Sequence, residues 1–281
     1  MTNHKINHPH FKKGRILKIE MLEDFRDYPR DVLDVYNADM SDGIVCGFAP
    51  TVDKSIITFS KGIVKHDGKL YVFHDPTIID YGATETDVVA KLIFLDEVDG
   101  KDYLTRHVDV VLEERLDQGK PDQGKAIRDN QIELGRFKLK TGAYLRSDYQ
   151  DLNDFTTEYN TINIVNVLYA GFKQPTLSHL ILKYFAREVL AVRPGVASSG
   201  AIKPESTLDI NFCMMCLNSG RIDREVILTY ISFKTGKDIK ALADLSNVDI
   251  HAMLVSILDN IKRENPGHGQ RLPVRKKVIM D

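Results

Sequence analysis

The stretch Ile63-Val64-Lys65-His66-Asp67-Gly68-Lys69-Leu70-Tyr71-Val72-Phe73 decides the character of the first half of this chain. In it, two runs of β-branched and aromatic residues flank an Asp-Gly pair. Asp and Gly tolerate the positive φ angles of a tight two-residue turn, so the stretch predicts a β-hairpin. Short apolar runs separated by turn residues continue on both sides of it.

Three neighbouring segments predict further strands. Residues 55–59 are rich in β-branched residues, and residues 88–95 form an almost continuous apolar run that Asp99-Gly100 turns back. Residues 132–139 alternate in polarity but slip by one position at Gly135, where a β-bulge would absorb the extra residue. Together these patterns predict at least six mostly antiparallel strands in a sandwich or barrel-like domain.

From about residue 151 the apolar residues recur at intervals of three and four, the period of an amphipathic helix. Ser, Asp, Pro and Gly residues at the margins of each apolar run supply start and stop signals. The predicted helices run from Asp151 or Asn153 to Gly171, from Pro175 to Pro194, from Pro204 to Gly220, from Asp223 to Gly236, through a short turn capped by Asp238, and from Asp249 to Pro266.

Strands in one half and helices in the other predict an α+β protein rather than alternating βαβ units. The expected architecture is an N-terminal antiparallel β-sandwich or barrel-like domain followed by an all-α domain of about five helices. Four segments follow from this division: an N-terminal arm at 1–40, an antiparallel β-domain at 41–142, a helical domain at 150–265, and a basic C-terminal tail at 266–281.

The composition excludes several classes of protein. The 281 residues are 43% hydrophobic, which is enough to build a core, and 38 basic against 40 acidic residues give a net charge of −2. A nearly neutral chain has no global basic field, so nucleic acid is not the expected partner. No apolar run approaches the roughly 20 residues of a membrane span, and no apolar secretory segment follows Met1, which predicts synthesis in the cytoplasm.

The motif Cys213-Met214-Met215-Cys216 is the strongest candidate for metal or redox chemistry. Cys46 is the only other cysteine, so a four-thiolate zinc site cannot form, and three cysteines build no disulfide framework. A redox Cys-x-x-Cys normally opens a helix, whereas this one lies inside a predicted amphipathic helix. We therefore interpret the two thiols as buried packing groups.

The histidines show no spacing typical of a metal site or a catalytic base. His4, His8 and His10 cluster near the N-terminus with no carboxylate close in sequence, which favours a leader segment over a metal site. The remaining six are scattered along the chain: His66, His74, His107, His179, His251 and His268.

Three charged or glycine-containing stretches also fall short of a site. Residues 119–125 superficially resemble a phosphate-binding loop, but Pro121 and the absence of a following Ser or Thr argue against it. The acidic residues of 23–31 alternate with Arg26 and Arg30, which favours a solvated surface or an ion-pair contact. The tail residues that could touch phosphate or an acidic neighbour are Arg271, Arg275, Lys276 and Lys277. The sequence thus predicts no catalytic, cofactor-binding or metal-binding residue.

A family resemblance lies in the strand-rich half. Asp42-Gly43-Ile44-Val45-Cys46-Gly47-Phe48 precedes Ile56-Ile57-Thr58-Phe59-Ser60-Lys61-Gly62-Ile63-Val64, then Asp67-Gly68-Lys69-Leu70-Tyr71, and later Glu133-Leu134-Gly135-Arg136-Phe137-Lys138-Leu139. This succession resembles the N-terminal β-domain of bacteriophage and prophage tail structural proteins of the baseplate or tail-fibre attachment type. It covers residues 44–142, and Gly135 stands where that family usually has another small residue.

The resemblance implies a structural subunit of a phage tail, baseplate or related contractile injection particle that is not an enzyme and needs no cofactor. The implied partners are other tail or baseplate subunits, with the chain as a homo-oligomer in a symmetric particle. Such a protein is made in the host cytoplasm and assembled into the virion or particle tail. The alternative is a nucleic-acid-associated accessory protein or an unrecognised enzyme that uses the helical half and the basic tail.

Overall fold

The computed structural model describes residues 8–83, 85–114, 127–192 and 204–264. Within them the chain is α+β, as predicted, with antiparallel strands in its first half and most helices in its second. The strands are β1 (Gly43–Cys46), β2 (Pro50–Asp53), β3 (Ile56–Phe59), β4 (Gly62–His66), β5 (Lys69–Phe73), β6 (Thr77–Asp80), β7 (Val88–Phe94), β8 (Val98–Asp99), β9 (Leu104–Thr105), β10 (Val108–Glu114) and β11 (Gln131–Phe137). The helices are α1 (Ile19–Tyr36), α2 (His179–Val192), α3 (Pro204–Asn218), α4 (Arg224–Thr235), α5 (Ile239–Leu242) and α6 (Asn247–Glu264).

The strands form several small antiparallel sheets. The central strands are β4 between β1 and β5, β7 between β10 and β11, and β3 between β2 and β6, while β8 and β9 pair alone. Each three-stranded sheet keeps two edges, so none of them closes into a barrel within the described part of the chain. The sandwich arrangement stays a prediction.

The two local features predicted for the strands are confirmed. Asp67 and Gly68 join β4 to β5 with φ angles of 48° and 69°, which fit the twist of a tight hairpin. In β11 the register against β7 shifts between Glu133 and Gly135, as expected of a β-bulge. The turn and the bulge each depend on residues only a few positions apart in sequence, and for that reason both could be predicted.

The helix predicted from Asp151 to Gly171 is wrong. These residues contain one 3-10 turn, Asn153–Thr156, and otherwise run as extended or irregular chain that bridges back to the strands. One such bridge joins Ile44 of β1 to Tyr169. Four of the apolar side chains with helical spacing are buried here without a helix, namely Leu152, Phe155, Ile162 and Val165, whereas Leu168 is exposed.

A buried carboxylate explains why the chain turns at residue 154 instead of continuing as a helix. Asp154 accepts hydrogen bonds from the backbone N–H of Gln150 and the hydroxyl of Thr157, and it forms an ion pair with Arg146. Side-chain acceptors of this kind compete with the helical backbone ladder. The predicted helical domain of 150–265 therefore begins with a non-helical segment, and its division from the β-domain stays a prediction.

The next predicted helix begins later than expected. Residue Thr176 is still paired with Tyr169 in a bridge, so α2 starts at His179 rather than at Pro175. The predicted start of α3 at Pro204 is confirmed. The end predicted for α2 at Pro194 lies outside the described residues.

The signals at the ends of α4 and α5 agree with the sequence. Gly236 closes α4 in the left-handed conformation, and the Asp238 side chain accepts from the backbone N–H of Lys240 at the start of α5. The cap of α6 is Ser246 and not Asp249. The Ser246 hydroxyl accepts from the Asp249 backbone N–H, and the Asp249 carboxylate accepts from the Ser246 backbone N–H, which is a capping box.

The core is a continuous cluster of buried apolar side chains that contains residues from both halves of the chain. Ile57 and Leu92 contribute from the sheets, and Phe185 and Leu254 contribute from the helices. The helix α2 packs against α3 and α6, and α4 packs against α5 and α6. The helix α1 contributes no residue to this core.

Candidate functional site

The described residues hold no evident catalytic or metal centre. Across residues 8–83, 85–114, 127–192 and 204–264, no three or more His, Cys, Asp or Glu side chains are grouped so that they could hold a metal ion. Over the same residues, no helix combines the length and the apolar character needed to cross a bilayer.

The Cys-x-x-Cys motif lies within α3, and both thiols are buried. Burial raises the pKa of the Cys216 thiol to about 12. A thiol with so high a pKa is almost entirely protonated at neutral pH, and the thiolate is the form that attacks and binds metals. Packing is therefore the role that this geometry supports, while Cys46 on β1 is exposed.

The histidines are dispersed, and their contacts are mostly structural. The His66 ring stacks on Phe94 with centroids 4.0 Å apart, and the Nε2 atom of His251 lies 2.9 Å from the Leu152 carbonyl oxygen. Burial lowers the pKa of His179, whose ring nitrogens have no hydrogen-bond partner within the described residues. His10, His74 and His107 are exposed, and His4 and His268 lie outside the described residues.

Two further sequence candidates also fall outside the described residues. These are the glycine-containing loop at 119–125 and the basic tail at 266–281. The interpretations of both stay predictions.

The acidic stretch at 23–31 lies on α1, where the structure reveals a two-sided helix. At 100° per residue, the acidic side chains fall on one side. Arg26 pairs with Asp27 at 2.7 Å on this exposed surface, and Arg30 lies 3.9 Å from Asp34. The acidic residues of the helix are Glu20, Glu23, Asp24, Asp27, Asp31 and Asp34.

The opposite side of α1 is apolar and lies in solvent. No residue of the helix is buried. Its large apolar side chains are between 48% and 84% exposed, namely Ile19, Leu22, Phe25, Tyr28, Val32, Leu33, Val35 and Tyr36. An exposed apolar patch of this size is typical of an interaction surface. We call these eight side chains the apolar face of α1.

One end of α1 is firmly attached to the sheets. The buried ammonium of Lys65 on β4 donates hydrogen bonds to the carbonyl oxygens of Asn37, Ala38 and Met40, at 2.6, 3.2 and 2.7 Å. These carbonyls follow directly after the helix, where the negative end of its dipole favours a cation. The attachment fixes the end of α1 without covering its apolar face.

The residues before α1 cover this face only in part. The Phe11 ring meets Phe25 edge to face at 6.2 Å, and the His8 ring meets Tyr28 in the same way at 5.8 Å. Phe25 nevertheless remains 65% exposed. Two open grooves lie beside these contacts, lined by the residues before α1 and by the first turns of the helix.

The comparisons with known proteins give structural likenesses only. No protein-family model and no curated protein matches the sequence. A chain of the type VI secretion TssK-TssF-TssG baseplate subcomplex, determined by cryo-electron microscopy, is 13% identical, with a TM-score of 0.42 over 92% of this chain and 100% of that one. The crystal structure of TssK is 8% identical, with a TM-score of 0.40 over 93% of this chain and 72% of that one.

A chain of the baseplate complex from the type VI secretion system is 12% identical, with a TM-score of 0.35 over 92% of this chain and 99% of that one. These neighbours are baseplate proteins of a contractile injection system. All three TM-scores lie below 0.5, so the likeness assigns this chain neither to their family nor to their function.

Proposed function

We propose that this chain is a structural subunit of a phage tail, baseplate or related contractile injection particle and that it acts through protein–protein contacts. The observation that carries the proposal is the apolar face of α1, which no part of the described chain buries. Exposure of apolar surface to water is unfavourable by about 25 cal/mol per Å². Association with a protein partner recovers this free energy because it buries the surface.

The charge on α1 indicates which class of macromolecule can bind to the helix. Six acidic and two basic residues give the helix a net charge of −4. Amphipathic helices that bind anionic membranes carry Lys and Arg on the polar side, and nucleic-acid surfaces are likewise basic. An acidic helix of this kind is repelled by phosphate, so the partner that fits is a protein.

The resemblance of residues 44–142 to tail structural proteins supplies the kind of assembly. Within the proposal, the chain is made in the host cytoplasm, has no enzymatic activity, and joins the particle as one of several copies beside other subunits. The small sheets present edge strands that are further places for lateral contact.

The test is to purify contractile particles or phage tails from the cells that encode the chain and to identify their subunits by mass spectrometry. We expect the chain in intact particles at a fixed ratio to the tube and sheath proteins, and incomplete particles when its gene is deleted. Normal particles that lack the chain would contradict the proposal. The control is a strain in which the deleted gene is restored.

A further inference from the structure

We infer that α1 joins copies of this chain to one another, with the apolar faces of several α1 helices forming the core of a helical bundle. The inference rests on the proposed function, because it names the partner of the same surface. It rests on the spacing of the apolar side chains, the placement of the charges and the exposed area.

The apolar residues of α1 follow the seven-residue repeat of a helical bundle. Positions 22, 25, 29, 32 and 36 alternate in steps of three and four, which is the spacing of a bundle seam. Met21, Tyr28 and Val35 are seven residues apart and lie beside that seam. An apolar face of three positions in seven is wider than a two-helix seam and matches a helix that faces the core of a bundle.

The proline at position 29 falls on the seam itself. Its ring is apolar and therefore adds to the face, and the missing N–H removes one helical hydrogen bond at a point that faces the partner. The seam thus continues from Leu22 to Tyr36 without a polar residue.

The acidic residues lie where copies in a bundle would not oppose one another. In the seven-residue repeat they occupy only the three positions farthest from the seam, and Arg26 is the single charged residue that flanks it. The acidic side chains of associated copies would therefore point outward into water. Repulsion between them is then reduced by distance and screened by salt.

The exposed area is sufficient for a stable interface. Phe25, Tyr28 and Tyr36 are aromatic residues, which present about 150–250 Å² each when fully exposed, and the other five are smaller aliphatic residues. Because the eight side chains are between 48% and 84% exposed, the apolar face presents on the order of 1,000 Å² to solvent. A standard interface needs roughly 800 Å² per partner.

The attachment of α1 through Lys65 holds one end of each helix in a fixed direction, which lowers the entropy cost of assembly.

The competing occupant is the chain's own basic segment, the C-terminal tail at 266–281. It carries Arg271, Arg275, Lys276 and Lys277, which are opposite in charge to α1. A basic segment would bind to the acidic side of the helix. The apolar seam lies on the other side, and its regular spacing fits a helical partner. We therefore assign the apolar face to other copies and make the basic segment an outcome of the test.

The experiment measures the mass of the full-length chain by light scattering and sedimentation over a wide range of concentrations. Wild-type chain should give a discrete multiple of 31.9 kDa. The double variant Phe25→Ser with Val32→Ser removes two seam residues that are exposed in the single chain, so it should fold normally but dissociate. We expect its dissociation constant to rise at least about tenfold.

The matched control is Asp24→Ser with Asp31→Ser. Like the seam variant, it introduces two serines seven positions apart, but it does so on the acidic side of the helix. This control should remain associated. Helix content by circular dichroism verifies that both variants are folded. A wild-type chain that is monomeric throughout, or an assembly that the seam variant leaves unchanged, would overturn the inference.

A shortened chain that ends at Glu264 distinguishes between the two possible occupants of the apolar face, which are other copies of the chain and the basic segment. We expect it to associate like the full chain and not to be weakened by added salt, because salt screens the repulsion between acidic sides. Two results would show that the basic segment covers α1 and that the inference is wrong. Either only the shortened chain associates, or added salt converts the full-length chain from a compact monomer into an oligomer. A chain that is monomeric in solution yet present in purified particles would refute this inference and leave the proposed function standing.

Discussion

Charged side chains in the interior of this protein are held by specific partners. The Asp209 carboxylate on α3 is fully buried, and it accepts hydrogen bonds from the Tyr230 hydroxyl at 2.8 Å and the Lys234 ammonium at 3.2 Å. The Lys91 ammonium on β7 is buried beside Glu113 and Gln131. Such groups are costly to bury unless they are paired, so they fix one arrangement of the elements around them.

His251 on α6 makes the stability of the fold depend on pH. Its Nε2–H donates to the Leu152 carbonyl, and burial lowers the pKa of the ring. The folded-state pKa therefore lies below the unfolded value of about 6.5. The neutral ring stabilises the fold above that pH, and this stability is lost as the pH falls below it.

We predict that the free energy of unfolding falls as the pH is lowered from about 7 to about 5, and that His251→Gln reduces this fall. Glutamine keeps an N–H donor but does not titrate. The pKa of His179 is also lowered by burial, so part of the fall remains. Urea titrations at several pH values measure it, with the exposed His107→Gln as control. An unchanged pH dependence in His251→Gln would contradict the prediction.

Two glycines with similar backbone angles differ in what surrounds them. Gly47 has a φ of 78°, and a Cβ there would lie 2.1 Å from the Lys61 carbonyl oxygen. Gly68 has a φ of 69° and no heavy atom within 4 Å of the same position. Gly47 is therefore required by close packing of the backbone, and Gly68 only by its turn.

We predict that Gly68→Ala costs about 1 kcal/mol for the left-handed conformation. Gly47→Ala should cost roughly 2 kcal/mol more, because the backbone of β4 must move. Chemical denaturation of both variants provides the measurement. Equal losses in the two variants would show that conformation alone, and not the approach of Lys61, limits position 47.

At the scale of the element, α1 differs from every other helix that the structure describes. The helices α2 and α6 are buried along one side, whereas α1 buries no residue and holds a proline in its interior. Helices rely on packing of an amphipathic face for most of their stability. The hydrogen bonds from Lys65 to the carbonyl groups that follow α1 are thus a principal support of this helix in the single chain.

We predict that Lys65→Met destabilises the protein by roughly 2 kcal/mol, because three carbonyl groups lose a charged donor. Backbone amides in the last turn of α1 should exchange with deuterium faster than in the wild type. The control is Lys69→Met, which removes the partly exposed ion pair with Glu97 and should cost less than about 1 kcal/mol. Equal effects of the two substitutions would contradict an anchoring role for Lys65.

At the scale of the whole molecule, the segment between the sheets and the helices ties the two halves together. The Tyr184 hydroxyl on α2 donates to the Tyr149 carbonyl, and the Asn247 side chain on α6 lies 3.4 Å from the Val167 carbonyl. The rings of Tyr149 and Phe155 stack with centroids 4.0 Å apart. These contacts join a continuous core in which neither half is separately enclosed.

We predict that the strands and helices unfold in one cooperative transition. Hydrogen exchange followed by mass spectrometry in increasing denaturant should show β7 and α2 losing protection at the same midpoint, because they share one core. A separate earlier midpoint for either element would instead show that the β-domain and the helical domain fold independently, as the sequence-based division at residues 142–150 implies.

The features that the sequence determined by itself are local. The Asp67-Gly68 hairpin, the bulge at Gly135 and the caps at Gly236 and Asp238 each depend on residues within a few positions. Backbone angles and short-range hydrogen bonds fix such features, so they can be predicted without knowing what lies across the molecule. The burial of Cys213 and Cys216 followed from their place on an apolar helical stripe.

The tertiary structure alone decided which apolar stripes are covered. Residues 151–171 have helical spacing but form only one 3-10 turn, because β1 and β11 bridge to this segment and its buried side chains join the common core. Leu22, Phe25, Val32 and Tyr36 also have helical spacing and do form a helix, but none of them is buried. Periodicity reports which residues share a side, but whether a side is buried depends on contacts between residues far apart in sequence. For that reason the candidate site, an uncovered helix, could be located only in the folded chain.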